Sequence, residues 1–139
     1  MRGVVSGKIY VMGGATDAGL QNVTATVPEY DPKTDQWTKK ANMPTEKYGL
    51  SASVVNGKIY AIGGWNDLAL STVEEYDPRT DTWTQKADMP EARYALSTST
   101  VNGRIYAIAG ATDVEKVGNN FEYDPATNPS RTLGQREET

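Results

Sequence analysis

The chain contains neither cysteine nor histidine among its 139 residues. Without cysteine it can form no disulfide, no thiol nucleophile and no thiolate zinc site. Without histidine it has no imidazole base or ligand and no Ser-His-Asp triad. Any catalysis would therefore need Asp, Glu, Tyr, Lys or Arg. A chain without thiols suits oxidising and reducing compartments equally, so its localisation stays open.

Positive charge and long apolar runs are also scarce. The net charge of −4 argues against nucleic acid and anionic membranes as partners, because both attract basic patches. No apolar run approaches the roughly 18 residues of a membrane-spanning helix, and the N-terminal MRGVVSGKIY lacks the apolar region of a signal peptide. The sequence thus predicts a soluble protein. Its 13 Gly and 7 Pro favour a turn-rich, all-β structure.

Three stretches of the chain are nearly identical: GKIYVMGG at 7–14, GKIYAIGG at 57–64 and GRIYAIAG at 103–110. A regular internal period indicates a repeated structural unit. In the second copy, the strand SASVV leads through Asn56-Gly57, a pair typical of type I′ turns, to the strand KIYAI. A polar loop, WNDLALS, precedes the strand TVEEY, and an Asp77-Pro78 turn precedes a strand around Trp83. Each unit is therefore predicted to be a four-stranded antiparallel meander.

The copies differ at specific places. The first carries about four extra residues, within Ala18–Thr24, which we expect to be either a recognition lip or a tolerated surface insertion. The third has Ala109 in place of the first glycine of the pair. It also has NPSRT where the others have DQWTK and DTWTQ, so its outer tryptophan is missing. This predicts a weak last strand and a frayed tail, TLGQREET.

The glycine pair after KIY, the Tyr before Asp-Pro, the Trp after that turn and the Met-Pro…Arg connection resemble kelch repeats, from about residue 4 to 128. The resemblance implies β-propeller blades, with the strand after Arg93 innermost and the Trp strand outermost. It predicts one unit over 1–139, with blades at about 1–44, 45–90 and 91–135. Such propellers most often close with about six blades, and this chain has three.

Three blades would leave two blade faces open, and large apolar surfaces usually mark interaction sites. We therefore expect a homodimer in which two arcs of three blades form a closed six-bladed ring. By alignment, residue 1 falls inside an inner strand and the chain stops where the Arg of a further unit would begin. The alternatives are a fragment of a longer propeller and an engineered half-propeller.

The resemblance also implies ligand sites. Kelch adaptor propellers hold peptides with residues after the glycine pair and at the start of the inner strand. In this sequence these are Ala15, Trp65 and Ala111, and Lys47-Tyr48 and Arg93-Tyr94; unit one has no such inner-strand start. With the two residues that follow Trp65, the predicted ligand-binding set is Lys47, Tyr48, Trp65, Asn66, Asp67, Arg93 and Tyr94.

Several of these residues also have a structural alternative. Trp65 is either a binding anchor or a packing residue against a neighbouring blade. Lys47 and Arg93 either form a cationic ring that suits an acidic peptide or carboxylated sugar, or they form inter-blade salt bridges with Glu46, Glu91 or a loop Asp. Asp17, Asp67 and Asp113 are more readily turn formers than cation ligands. Structural roles are expected for Asp31, Asp77, Asp124, Tyr30, Tyr76, Tyr123, Trp37 and Trp83.

Three functions remain open from sequence. The first is a non-enzymatic binding or scaffold module that closes a ring and binds a protein or peptide at a ring face. The second is a mutarotase acting on a sialic-acid-like sugar, with Lys47 and Arg93 in acid–base roles. Kelch oxidases of the copper radical type are excluded, because they need His and a Tyr–Cys crosslink and this chain has neither His nor Cys. The third is an assembly unit without a ligand. No catalytic residue, metal or cofactor is predicted.

Overall fold

The computed structural model describes residues 1–113, 120–127 and 130–133 and shows three four-stranded antiparallel sheets. The first contains β1 (Arg2–Val5), β2 (Lys8–Val11), β3 (Val27–Asp31) and β4 (Gln36–Lys40). The second contains β5 (Ser51–Val55), β6 (Lys58–Ile62), β9 (Val73–Asp77) and β10 (Thr82–Gln85). The third contains β11 (Ser97–Val101), β12 (Arg104–Ile108), β13 (Phe121–Tyr123) and β14 (Ser130–Thr132). A separate two-stranded hairpin contains β7 (Trp65–Asn66) and β8 (Leu68–Ala69).

The four-strand meander is confirmed in all three copies, because each sheet is ordered along the chain. The predicted turn is also present: Asn56 and Gly57 have φ angles of 50° and 74°, as a type I′ turn requires. The first strands of the sheets lie side by side, since β5 contacts both β1 and β11. The first strand is therefore innermost and the fourth is the outer edge.

Each blade has two ends. We call the end with the β1–β2 and β3–β4 turns and their equivalents the turn face. The opposite end, formed by 13–26, 41–50, 63–72, 87–96 and 109–113, is the loop face. The loop face carries the polar segment WNDLALS, which is more ordered than sequence indicated because it folds into the β7–β8 hairpin.

Two apolar cores lie between the three sheets. Tyr10 and Val27 of the first sheet, with Met12 directly after β2, pack with Ile59, Ala61 and Tyr76 of the second. On its other side, the second sheet supplies Tyr60, Ile62 and Val73 to a core shared with Ile105, Phe121 and Tyr123 of the third. Strand β6 shows the alternation directly: Ile59 and Ala61 face the first sheet and Tyr60 and Ile62 face the third.

The two outermost sheet faces are not covered by the described residues. Ile108 is 43% exposed, whereas its counterpart Ile62 is 1% exposed beneath the third sheet. At the other end of the arc, Trp37 is 60% exposed. Its counterpart Trp83 packs on the first sheet and donates from Nε1 to the Ala41 carbonyl at 2.9 Å. In the part of the chain that the structure describes, the arc therefore ends in two uncovered blade faces.

The third copy departs less from the others than its sequence indicated. Strand β14 pairs with β13 through Phe121–Thr132, Glu122–Arg131 and Tyr123–Ser130, so the fourth strand is present but short. The tail expected to fray lies outside the described residues from 134 onward. Among the described residues, the structure contains no helix that is long and apolar enough to cross a membrane.

Candidate functional site

Trp65 is held on the loop face by its backbone. It lies at the start of β7, directly after the glycine pair, and exchanges two backbone hydrogen bonds with Tyr48 at 2.8 and 3.2 Å. The third blade repeats this arrangement between Ala111 and Tyr94, at 2.9 and 3.0 Å. The bridge therefore does not need the indole, and the Trp65 side chain is free to serve another role.

The indole of Trp65 and the ring of Tyr48 form one wall of a cavity of about 540 Å³. Their centroids are 5.3 Å apart and their planes are tilted by 50°, a geometry typical of favourable aromatic pairs. Both side chains remain half-exposed. The insertion of the first blade supplies Gly19, Leu20 and Gln21 to the rim. The cavity thus lies between blades one and two of a single chain.

Asp67 completes the lining of this cavity from the tip of the β7–β8 hairpin. It is exposed and has a φ angle of 60°. Its carboxylate has no hydrogen-bond or ion-pair partner within the described residues. The related aspartates differ: Asp17 accepts from the backbone of Gln21 and Asn22 at 2.9 and 3.1 Å, and Asp113 accepts from the Ala69 N–H at 2.9 Å. Asp17 thus stabilises its own loop, as a turn former does, and Asp113 joins the third blade to the hairpin of the second. Asp67 lines the cavity and has no such contact among the described residues.

Lys47 is fully buried and does not reach the loop-face surface. Its ammonium lies 2.7 Å from a carboxylate oxygen of Glu74 and donates to the Thr72 hydroxyl at 3.2 Å. The second Glu74 oxygen accepts from the Thr45 hydroxyl at 3.0 Å. Burial lowers the pKa of Lys47, and the Glu74 carboxylate opposes that shift.

Arg93, the equivalent of Lys47 before the third blade, is also fully buried. Its guanidinium lies 4.0 Å from the ring centroid of Phe121, donates to the Ala109 carbonyl at 2.9 Å and lies 3.7 Å from a Glu91 oxygen. Phe121 and Glu74 occupy equivalent positions, since they pair with Ala107 and Ala61 of the second strand. The same site therefore holds an ion pair in one blade and a cation–π contact in the next.

The structure brings some of the ligand-binding residues predicted from sequence together in one cavity and places the others elsewhere. Tyr48, Trp65 and Asp67 line one cavity. Asn66 is half-buried and pairs with Leu68 in the hairpin, and Tyr94 bridges to Ala111 outside that cavity. The burial of Lys47 and Arg93 supports their structural alternative, with Glu91 as the predicted partner of Arg93. Sequence reasoning missed Glu74 as the partner of Lys47. The sequence did contain a signal for it, since TVEEY has a charged residue where the sister copies have Pro28 and Phe121.

The turn face carries a second cavity, of about 490 Å³, at the boundary between the first two blades. Its charged residues are largely paired. Glu29 lies 3.3 Å from the Lys8 ammonium and 4.0 Å from that of Lys40, and Arg79 lies 3.7 Å from Asp77. The other blades repeat a strand-three Glu between two cations: Glu75 with Lys58 and Lys86, and Glu122 with Arg104 and Arg131. Repetition in every blade indicates a structural role.

The described residues include no group of three or more Asp or Glu side chains placed to hold a metal ion. The buried tyrosines are unsuited to act as bases. Burial, together with the hydrogen bond to Glu75 at 2.7 Å, raises the pKa of Tyr60 well above the usual value for tyrosine. Burial and the bond to Asp81 do the same to the pKa of Tyr76. The Asp-Pro aspartates are turn formers as expected, since Asp77 accepts from the Arg79 N–H at 3.0 Å.

Comparisons with known proteins agree with this architecture. A solved structure of YjhT superposes with a TM-score of 0.82 at 20% identity, covering 96% of this chain and 50% of YjhT. Kelch-like protein 40 of Xenopus laevis is 44% identical over 62 residues, 45% of this chain and 10% of its own length. Kelch repeat and BTB domain-containing protein 12 of Homo sapiens is 39% identical over 66 residues, 43% of this chain and 11% of its own length. The chain thus spans about a tenth of those relatives and half of YjhT.

The Kelch motif sequence model matches residues 3–44 and 47–90, which together make up more than half of the chain. Those matches cover the first two sheets, and the third sheet repeats their topology. The three meanders, the shared inter-sheet cores and this sequence match lead to one conclusion: the chain belongs to the kelch-repeat family.

Proposed function

We propose that this chain is a non-enzymatic kelch interaction module that binds a protein or peptide on its loop face. The observation that carries the proposal is the cavity walled by Tyr48 and Trp65. Half-exposed aromatic side chains on a rigid wall are typical anchors for a partner, because they bury much apolar area at little cost in conformational entropy. One kelch relative of this chain, Kelch-like ECH-associated protein 1A of Danio rerio, is named for its association with a partner.

The mutarotase alternative receives no support from the described residues. Its proposed acid–base groups, Lys47 and Arg93, are both fully buried. A general acid or base must come within hydrogen-bond reach of a substrate proton, and these groups are instead engaged by Glu74 and Phe121. The likeness to YjhT, at 20% identity, concerns the fold only.

We further propose that the module closes a ring by pairing with a second copy of itself. Internal seams show which groups such a closure would join. Tyr10 meets Tyr76 at 5.7 Å across the first seam and Tyr60 meets Tyr123 at 5.9 Å across the second. The unused members of this series are Tyr106 on the third sheet and Tyr30 on the first. Each of these two tyrosines lies on an open face. In a closed ring, Tyr106 of one copy would therefore meet Tyr30 of the other, as the tyrosines do at the internal seams.

A selection experiment tests the binding function. Random peptides displayed on phage are selected on the wild-type protein and counter-selected on Trp65→Ala. Enriched peptides should bind the wild type at least about tenfold more tightly than Trp65→Ala. The variant should keep its fold, because Ala111 makes the same backbone bridge in the third blade. Failure to enrich any peptide, or equal binding to both proteins, would count against this site.

A further inference from the structure

We infer that the loop-face cavity selects a cationic side chain of its partner, an arginine or lysine, rather than an acidic one. This inference rests on the proposed binding function and names the chemistry of its ligand. It departs from one of the two alternatives drawn from sequence, the one in which Lys47 and Arg93 form a cationic ring for an acidic ligand. Both are fully buried, so neither presents its charge to a ligand.

The first support is the composition of the cavity wall. The π faces of Tyr48 and Trp65 attract cations through their quadrupoles, and the attraction is largest for Trp. Asp67 is the charged side chain in the lining and carries a carboxylate without a partner among the described residues. An aromatic pair beside a carboxylate matches a guanidinium or ammonium group, which stacks on the rings and donates hydrogen bonds to the acid.

The second support is the charge of the described segments of the loop face. The segments that form it contain Asp17, Glu46, Asp67, Asp88, Glu91 and Asp113. Their basic residues are Lys47 and Arg93, which are buried. Arg2 begins the inner strand β1 at this end of the sheet but does not line the cavity. A negative face of this kind attracts a basic segment over about a Debye length, near 8 Å in physiological salt.

The third support is a comparison within the molecule. The equivalent position in the third blade holds Ala111 instead of Trp65, and Asp113 there accepts a hydrogen bond from the Ala69 backbone. Neither the aromatic wall nor the unpaired carboxylate is thus repeated in that blade. Within the described residues the combination occurs at the boundary between blades one and two alone, as expected of a ligand site rather than of a repeated structural device.

Defined peptides test the inference. Acetylated, amidated Gly-Arg-Gly-Arg-Gly is added stepwise to the protein, and peptides with Glu or Gln in place of Arg are added in separate titrations. The NMR signal of the Trp65 indole N–H is followed, and it is assigned by its loss in Trp65→Phe. The Arg peptide should shift this signal at concentrations where the Glu peptide does not. Asp67→Asn, which tolerates the positive φ, should weaken Arg binding about fivefold. Glu46→Gln, an exposed acid outside the cavity, should change it less than twofold or so.

The outcomes separate this inference from the function on which it rests. If the Glu or Gln peptide shifts Trp65 at lower concentration than the Arg peptide, selectivity for cations is wrong and the binding site stands. Arg binding that Asp67→Asn leaves intact also overturns the inference. If no peptide of any charge shifts Trp65, both the inference and the proposed loop-face function are overturned.

Discussion

At the scale of single residues, the backbone between blades decides which substitutions are tolerated. Gly63 has a φ angle of 64°, and a Cβ placed on it would lie 2.5 Å from the carbonyl oxygen of Arg93. Its counterpart in the third copy is Ala109, with a φ angle of 57° and an exposed side chain. The same left-handed conformation thus requires glycine where the next blade begins and accepts alanine at the open end.

Gly63→Ala should lower the free energy of unfolding by about 2–4 kcal/mol, because it adds a clash to the conformational penalty of a left-handed residue. Ala109→Gly should change it by less than about 1 kcal/mol, because relief of that penalty is offset by the greater freedom of glycine in the unfolded chain. Urea denaturation at one protein concentration checks both. A loss in Gly63→Ala as small as the change in Ala109→Gly would contradict the close approach seen here.

At the scale of structural elements, the segment that joins two blades carries a buried cation. This cation contacts a residue on the third strand of the following blade and so fastens the segment to it. Lys47 and Glu74 form this fastening before the second blade, and Arg93 and Phe121 form it before the third. Removing one member of a buried ion pair is costly, because the remaining charge has no compensation in a low-dielectric interior.

Glu74→Gln should therefore lower the free energy of unfolding by about 3 kcal/mol near neutral pH. Glu46→Gln, an exposed neighbour in sequence, should change it by less than about 0.5 kcal/mol. The double variant Lys47→Arg/Glu74→Phe copies the third blade and should be more stable than Glu74→Phe alone. Chemical denaturation of the four variants measures these differences. A Glu74→Gln protein as stable as the wild type would refute the buried pair.

The loss in Glu74→Gln should also depend on pH. Burial already lowers the pKa of Lys47 from its usual 10.5, and removal of Glu74 lowers it further. Below the lowered pKa the unfolded chain and the folded variant both hold the proton, and the full penalty applies. As pH rises through that pKa, the folded variant releases the proton while the unfolded chain keeps it, so stability is regained. The penalty should shrink towards about pH 10, and a constant penalty would contradict this account.

At the scale of the whole molecule, the outer faces of the first and third sheets are not covered by any of the residues that the structure describes. Tyr106 and Ile108 on the third sheet repeat Tyr60 and Ile62, which are buried in an inter-sheet core. Ile9 and Val11 on the first sheet repeat Ile59 and Ala61, which are buried in the other core. The surfaces at the two ends of the arc are thus the two halves of one type of seam.

If the proposed ring forms, sedimentation equilibrium should give a mass near twice 15.1 kDa. Ile108→Glu places a charge in the seam and should shift the protein towards monomer by tenfold or more in dissociation constant, which is about 1.4 kcal/mol. Leu20→Glu is the matched control, since Leu20 is also 43% exposed but lies on the loop face. A folded wild-type monomer at micromolar concentration would overturn the proposed closure.

Particular residues show how far sequence reasoning reached. Asn56-Gly57 predicted its turn, because few residue pairs accept two positive φ angles, and alternation in KIYAI predicted strand β6. The β7–β8 hairpin was not predicted, since WNDLALS has no strong strand pattern and is ordered by the Tyr48 bridge. The depth of Lys47 was also missed, because a lysine at the start of a strand is usually exposed and only its packed surroundings reveal otherwise.

The amino-acid sequence alone determined the repeated unit, its four strands, its turns and the number of blades, because these depend on local conformational preference and on a period-two apolar pattern. The tertiary structure decided which charges meet solvent. Packing of adjacent blades covers Lys47 and Arg93 and leaves Asp67 exposed beside Tyr48 and Trp65. Burial depends on contacts between residues far apart in the chain. For this reason the described part of the loop face is acidic at its surface, and the alternative of a cationic ring built from Lys47 and Arg93 has no exposed charge to support it.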